Sequence, residues 1–473
     1  MRKRAEGPAA IHRPSLSFLL YVCVVSSLGG FLWGFDAIVI SGTIEQVKEQ
    51  FVLNSFMEGA FVSSGLLGAV IGAALAGLLS DRFGRSRNLV LAAALLLLSA
   101  AASGWARSIE FLILARWTGG LGVGIAAMVC PVYISELSPA HLRGRMVTLF
   151  QFAITLGILT ALLSNAWLHS LSASLAGRID AGFWQWLLID ENWRAMFATE
   201  LIPGVAFLGL SLTLPESPRW LAKAGSWKQA HLVLQRILRE GAQDELQDIR
   251  SAVEAESKSK ARYIDVFKPS YRKPLAISVL LSVFAQLSGI NVVFYYGPSI
   301  LEQAGFEIGG ALSGFATIGF FNMLFTLVAI WMVDNLGRRP LMLWGTIGCI
   351  GCLCGIGLLI DKTDGLGVLI ALICGFVACF AFSLGPIKFV FASEIFPTNI
   401  RSHAVSVAIL AMWATDTLVG QCFPLLREGV GPATTFFIFA AILVPQIWLV
   451  LKYMPETAGR SLEEIEGWWH KQQ

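Results

Sequence analysis

Two groups of opposite charge lie inside long apolar stretches of the chain, where charge is costly. Asp36 lies near the end of the first stretch, and Arg116 lies near the start of the fourth. At ~1.5 Å of rise per helical residue, both would sit about 10 Å below the same surface of a membrane, so they can meet. A carboxyl group there can couple a proton to a conformational change. The pair is a candidate for proton coupling, and a static ion pair is the alternative.

A second polar group occupies one short segment of another apolar stretch. It consists of Gln286, Asn291 and Tyr295, the last two of which share a helix face because they are four residues apart. Gly289 and Pro298 predict a local weakness in that helix. Amide side chains both donate and accept hydrogen bonds, as the hydroxyl groups of a ligand require. The segment is a candidate ligand site, with hydrogen bonds between neighbouring helices as the alternative.

Three charged motifs occur twice, in the same order in each half of the chain: DRFGR (81–85) with DNLGR (334–338), ELSPAHLR (136–143) with EIFPTNIR (394–401), and PESPR (215–219) with PETAGR (455–460). Carboxylate and guanidinium groups in such motifs can pair bidentately. The residues that could pair in this way at helix ends are Arg85, Glu136, Arg143 and Glu216 in the first half, and Arg338, Glu394 and Arg401 in the second. A basic loop that sets topology explains any single motif, whereas the duplication indicates two repeated halves.

The elements that position these groups must be membrane helices. The 473 residues are 55% apolar and only 14% charged, with a mean hydropathy of +0.67, whereas soluble domains are ~25% charged. This composition excludes a soluble globule and a disordered chain. With a net charge of +3 and no basic stripe, a nucleic-acid partner is also excluded. The histidines form no metal or catalytic constellation, so we expect no enzyme, no metal and no cofactor.

A stretch of ~20 apolar residues can cross a bilayer. The chain contains twelve such spans, numbered here in chain order: 15–42, 55–79, 86–105, 110–137, 142–169, 193–215, 272–302, 309–333, 339–360, 366–395, 399–426 and 431–454. The sequence therefore predicts an all-α membrane protein with two six-helix bundles, 15–215 and 272–454. Amphipathic surface helices are expected over the linker 216–271, and residues 1–14 and 455–473 are terminal segments.

The distribution of Lys and Arg predicts the orientation. Once the long linker is left out, fifteen lie on one side of the spans and five on the other. Because positive loops stay in the cytoplasm, both termini are expected there. We expect a multi-pass protein of the bacterial inner membrane, monomeric and surrounded by lipid.

These motifs, in this order, resemble the sugar porter branch of the major facilitator superfamily, most of all its bacterial D-xylose–proton symporters. The most specific stretches are GFDAIVISG (34–42), DRFGR (81–85), PVYISELSPAHLRGR (131–145), PESPRWL (215–221), QLSGINVVFYYGP (286–298), SEIFPTNIR (393–401) and PETAGRSLEEIE (455–466). The resemblance implies proton-coupled symport of a monosaccharide by alternating access. It also implies that the charged residues of the repeated motifs form a cytoplasmic gate that latches the outward-open state. A facilitative uniporter is the alternative, and a transporter-like sugar sensor a weaker one.

The resemblance also implies roles for single residues. Asp36 would be the protonation site and Arg116 its partner. The implied sugar contacts are Gln151, Gln286, Asn291, Asn322 and Trp413. Three positions depart from the family pattern, because Ala285, Ile158 and Phe389 stand where relatives carry Gln, Gln and Trp. These changes remove hydrogen-bonding groups and leave the identity of the sugar open.

Two further charges, Lys388 and Asp416, lie inside spans and have no counterpart in the pattern. Asp416 follows Trp413 by three residues and so shares roughly its helix face. We expect it to line the sugar cavity, where Tyr295 and Phe389 complete the candidate set. Direct pairing of Lys388 with Asp416 is not expected unless span ten is broken at 385–386. A buried pair with Lys388 or another group is the alternative role for Asp416.

Overall fold

The computed structural model describes residues 15–139, 142–238, 241–258, 263–362, 366–396 and 400–458. These ranges contain helices and turns but no strand, which confirms the all-α prediction. The predicted terminal segment 1–14 and the tail beyond residue 458 lie outside the described residues.

The described helices divide into three groups along the chain. The first half contains α1 (Leu16–Val39), α2 (Ile44–Phe51), α3 (Ser55–Phe83), α4 (Arg85–Gly104), α5 (Ile109–Leu137), α6 (Arg143–Leu175), α7 (Phe183–Gln185), α8 (Asn192–Ala198) and α9 (Leu201–Ser211). The predicted linker contains α10 (Pro218–Lys223), α11 (Trp227–Leu238) and α12 (Ala242–Lys258). The second half contains α13 (Pro269–Leu287), α14 (Ile290–Gln303), α15 (Ile308–Leu336), α16 (Arg338–Leu359), α17 (Leu366–Phe382), α18 (Leu384–Glu394), α19 (Arg401–Val430) and α20 (Pro432–Tyr453).

Eleven helical stretches in the described ranges are long and apolar enough to cross a membrane. The predicted sixth span is instead divided into α8 and α9 at Thr199 and Glu200. Pro203 explains the division, because it has no N–H to donate to the carbonyl of Thr199 four residues earlier. Instead, the main-chain N–H of Ile202 donates to the Thr199 carbonyl at 3.3 Å and forms a tighter turn.

Two other spans consist of two helices placed end to end. In span seven, α13 and α14 meet at Gly289, whose φ of +78° is a left-handed conformation that glycine adopts readily. The weakness predicted in this span is thus a break in the helix. In span ten, α17 and α18 meet at Ser383, two residues before the expected position. Both breaks lie beside the central cavity described below.

Small residues let neighbouring helices approach closely inside each half. In the first half, α3 packs along α5 and α1 packs along α6. A Cβ added at Gly120 would collide with the carbonyl oxygen of Gly65, and one at Gly124 would collide with that of Ala69. Gly120 and Gly124 belong to the string GGLGVG (119–124) of α5, which therefore serves helix packing, as small residues commonly do within membranes.

The two halves meet mainly through α3 with α19 and α6 with α15. We call the end with Arg85 and Arg338, predicted to be cytoplasmic, the inner end, and the opposite one the outer end. Gly59 in α3 touches the backbone of Gln421, and Gly309 in α15 faces His169 of α6. These contacts lie toward the outer end, so the halves are joined there.

Candidate functional site

A cavity of about 500 Å³ lies between the two halves. All eight candidate sugar residues line it: Gln151, Gln286, Asn291, Tyr295, Asn322, Phe389, Trp413 and Asp416. Ile158 also lines the cavity, whereas Ala285 is buried elsewhere in α13. The lining extends to Arg338 at the inner end. The cavity therefore faces the inner end, while the outer ends of the halves are in contact.

The break in span seven brings an amide network together in the cavity wall. Gln286 lies in the last turn of α13 and Asn291 in the first turn of α14. The Nδ2 of Asn291 donates to the Oε1 of Gln286 at 3.2 Å. The same Nδ2 also lies 2.7 Å from the Oδ2 of Asp416, which accepts a second bond from the Tyr295 hydroxyl at 3.2 Å. Asp416 is therefore held by α14 and linked to the amides that face the cavity.

Lys388 lines the same cavity but makes no ion pair with Asp416 at 4.0 Å or less. Its ammonium lies 5.4 Å from the ring centre of Phe380 and 5.2 Å from that of Phe389. Both charged side chains are nearly fully buried, at 4% exposure for Lys388 and 3% for Asp416. The second half thus places two opposite charges in one cavity, each held by neutral groups.

Asp36 and Arg116 meet directly in the first half. The Nη1 of Arg116 lies 2.5 Å from the Oδ1 of Asp36, and its Nη2 donates to the Asp36 carbonyl at 2.9 Å. Gly119 lies beside this pair, where a Cβ would collide with the side chain of Ser99. The pair lines a separate cavity of about 20 Å³.

Three aromatic residues separate the two cavities and line both of them. They are Trp33, Tyr295 and Trp413. The rings of Trp33 and Trp413 lie 5.3 Å apart, one from each half of the molecule. Movement of either half would therefore alter the wall between the large cavity and the Asp36–Arg116 pair. Trp33 was not among the sequence candidates, although it lies three residues before Asp36 on a similar helix face.

Glu200 is a third ionisable group near this pair. It lies at the division between α8 and α9, is 1% exposed, and neither carboxyl oxygen has a hydrogen-bond partner in the described chain. Glu200 lies close enough to Asp36 and Arg116 for its charge to interact with theirs. Of the two carboxyl groups, Asp36 is the one that the Arg116 guanidinium contacts directly. Sequence analysis missed Glu200, yet an acid inside a predicted span was the signal that could have found it.

The gate candidates of the first half form one cluster at the inner end. Arg85 pairs with Glu136 at 3.1 Å, and the Ser217 hydroxyl donates to Glu136 at 2.5 Å. The carboxylate of Glu216 accepts the main-chain N–H of Arg85 at 2.7 Å, at the start of α4. The turn before α4 needs Gly84, because its φ is +94° and a Cβ there would collide with Glu216.

The second half repeats this cluster group for group. Arg338 pairs with Glu394 at 2.8 Å, and the Thr457 hydroxyl donates to Glu394 at 2.6 Å. Glu456 accepts the main-chain N–H of Arg338 at 2.9 Å. Burial alone would raise the pKa of Glu456, but hydrogen bonds from four main-chain N–H groups hold it below its usual value. Glu456 is thus the counterpart of Glu216, and it was absent from the candidate set.

The remaining gate candidates bond to the main chain. The Nε of Arg143 donates to the Ser135 carbonyl at 3.1 Å, and that of Arg401 donates to the Phe396 carbonyl at 3.3 Å. Each of these bonds stays within one half. The hydrogen bonds and ion pairs described here for the inner clusters therefore tie helices within a half and do not join the halves.

A charged cluster at the outer end does join the halves. The buried carboxylate of Glu58 in α3 pairs with Arg427 of α19 at 3.0 Å and with Lys48 of α2 at 3.0 Å. Arg427 also lies 3.3 Å from the hydroxyl of Ser299 in α14. We call Glu58, Arg427 and Lys48 the outer clamp. Sequence analysis missed it, because Glu58 and Arg427 lie far apart in the chain and in no repeated motif.

The chain matches the family model described as "Sugar (and other) transporter" over residues 22–469. It is similar to the arabinose-proton symporter of Bacillus subtilis, with 38% identity across 97% of this chain and 96% of that protein. It is 35% identical to the D-xylose-proton symporter of Escherichia coli K12, across 96% of each. Among solved structures, the inward open xylose transporter XylE from E. coli superposes with a TM-score of 0.80, at 33% identity, covering 95% of this chain and 100% of that one. The structure of the proton:xylose symporter XylE bound to 6-bromo-6-deoxy-D-glucose superposes with a TM-score of 0.77, at 35% identity, and the match covers 96% of this chain and 99% of that one.

Proposed function

The chain belongs to the sugar transporter family, and from this premise we propose that it carries a monosaccharide together with protons across the membrane by alternating access. The family and the major facilitator fold make it a multi-pass membrane transporter and not an enzyme. One observation supports the proposal most directly. All eight candidate sugar residues line one cavity between the halves, and an aromatic wall separates it from a buried acid–base pair.

The cavity offers the chemistry that a sugar requires. Gln151, Gln286 and Asn322 provide amides that donate to and accept from hydroxyl groups. Trp413 provides a flat apolar surface for the ring face of a pyranose. Since these groups come from both halves, a bound sugar contacts each half and can favour one arrangement of the halves over another.

Asp36 is positioned to couple this change to a proton. While the carboxyl group is charged, it holds Arg116 through two contacts. A proton on it removes the ionic part of that attraction and leaves Arg116 to interact with Glu200. Because Trp33 and Trp413 meet in the wall between the cavities, the arrangement of the halves and the state of the pair depend on each other.

Transport requires that the cavity open alternately at the two ends. The described arrangement is open toward the inner end and closed at the outer end by the outer clamp. In the opposite arrangement the clamp must separate and the inner ends must close. We further propose that the protein is a monomer in a bacterial inner membrane with both termini in the cytoplasm, as the Lys and Arg counts favour.

The test is transport by the purified full-length protein in liposomes with an internal pH dye. L-Arabinose, D-xylose and D-galactose are supplied in turn under an imposed proton gradient. A symporter accumulates at least one of them above its external concentration and moves protons with it. A sugar that equilibrates without proton movement would identify a facilitative uniporter. If none of these sugars moves, and neither D-glucuronate nor D-galacturonate moves in the same assay, the proposal is overturned.

A further inference from the structure

Lys388 is a cavity charge that the proposed mechanism leaves unused. Its side chain is 4% exposed and lines the central cavity. In the part of the chain that the structure describes, the ammonium contacts two aromatic rings but pairs with no carboxylate. Aromatic faces attract a cation without neutralising it. A buried ammonium without an opposite charge beside it is unfavourable, so the site is incomplete as it stands.

Asp416 does not supply the missing partner. One of its carboxylate oxygens accepts bonds from Asn291 at 2.7 Å and Tyr295 at 3.2 Å, and both donors belong to α14. Lys388 belongs to α18 and lies between Phe380 and Phe389. Both charges line the same cavity, but no ion pair joins them in the described structure. An anion entering the cavity would find hydrogen-bond donors and an unpaired ammonium together.

We infer that the transported sugar is a monoanion, a hexuronate, whose carboxylate pairs with Lys388. This inference rests on the proposed transport of a monosaccharide. The amides of Gln286 and Asn322 suit the hydroxyl groups, and one ammonium suits one carboxylate. A cavity of about 500 Å³ has room for a single sugar ring. A phosphorylated sugar carries up to two negative charges on three oxygens and fits a single ammonium less well.

Hexuronates also share their ring stereochemistry with the sugars that appear in the names of the relatives. D-Glucuronate has the ring of D-xylose with a carboxylate added at C5, and D-galacturonate has that of L-arabinose with the same addition. The relatives include symporters named for xylose and arabinose. A cavity for these rings therefore needs only one added cation to hold the corresponding uronate.

The test compares matched sugars by isothermal titration calorimetry on the purified full-length protein. One set is D-glucuronate, D-glucose and D-xylose, and the other is D-galacturonate, D-galactose and L-arabinose. We expect a uronate to bind at least about tenfold more tightly than its neutral partners, as for a charge-assisted bond. Lys388→Met should reduce this ratio to near one, and Lys388→Arg should retain most of it.

The outcomes separate this inference from the proposed function. Binding of neutral sugars with weaker or absent uronate binding overturns the inference and leaves sugar transport standing. Binding of neither class overturns both. If Lys388→Met does not fold, the ratio of uronate affinity to neutral-sugar affinity in the unsubstituted protein still tests the inference. A Lys388→Met protein that keeps the full ratio but melts at a lower temperature would assign Lys388 to structure, against the inference.

Discussion

The two halves of the molecule bury opposite charges in different ways. In the first half, Asp36 and Arg116 form a direct pair at 2.5 Å beside a very small cavity. In the second half, Lys388 and Asp416 lie in the large cavity and are held by rings and by neutral donors. Repeated folds can thus carry different chemistry in equivalent bundles. Asp36 has a direct partner and lies outside the large cavity, whereas Lys388 and Asp416 line that cavity, where a ligand can reach them. We therefore expect proton coupling to reside in the first half and substrate recognition mainly in the second.

The strongest test of this division is Asp36→Asn. An amide side chain cannot take up and release a proton as a carboxyl group does. Sugar accumulation driven by a proton gradient should therefore be abolished. Sugar binding should persist, because Asp36 does not line the large cavity. Uptake assays in liposomes and calorimetry on the same preparation measure the two properties. Accumulation at the unsubstituted level would remove proton coupling from the first half.

Substitution of the amides of the second half should have the next largest effect. In Gln286→Ala and Asn291→Ala, the cavity loses donors and acceptors that face the ligand, and Asp416 also loses a donor in the second variant. We expect binding of every substrate to be nearly abolished. Gln151→Ala is the matched change in the first half and should weaken binding less. Equal losses in all three variants would contradict a recognition site centred on the second half.

The two ends of the molecule provide a conformational test. Arg427→Ala breaks the outer clamp and leaves Glu58 buried with one partner fewer, so the outward-open population should rise. Arg143→Ala or Arg401→Ala should raise the inward-open population, because the inner clusters are expected to latch the outward-open state. A change of ~1–3 kcal/mol in the free-energy difference between the two states corresponds to a change of about 5–150-fold in the ratio of their populations. Labelling of single cysteines placed in the cavity, from each side of the membrane, reports the shift.

Arg250→Ala is the control for these gate variants, because Arg250 forms an exposed pair with Glu254 in the linker. Its labelling pattern should match that of the parent protein. If the Arg143 and Arg401 variants also label like the parent, the inner clusters set topology and helix packing and do not gate transport.

Asp416→Asn should have the smallest of these effects. The amide keeps the size of the side chain but accepts hydrogen bonds from Asn291 and Tyr295 less strongly than a carboxylate. We expect a change of several-fold in apparent affinity or in preference among sugars, measured by calorimetry with the same sugar panel. Unaltered affinity and preference with a lower melting temperature would assign Asp416 to structure.

Local patterns in the sequence were sufficient for most of the helices and for Gln286, Asn291 and Tyr295 in the cavity wall, whereas Gln151, Asn322 and Trp413 were implied by the family resemblance. Spacing placed Asn291 and Tyr295 on one face, and Gly289 marked the break that brings Gln286 beside them. The division at Glu200 was not foreseen, because the effect of Pro203 depends on how the chain turns around it. The candidate list also omitted Trp33, whose role in the wall requires a partner from the other half.

The sequence by itself determined the helices, the repeat and the chemical types in each span, because apolar length and motif spacing are properties of neighbouring residues. Only the tertiary structure decided which buried charges meet. Arg116 reaches Asp36, Lys388 is left without a contacting acid, and Glu58 finds Arg427. These outcomes depend on how helices distant in the chain are rotated and packed against each other. That packing is set by contacts summed over whole helix faces, and no single motif encodes it.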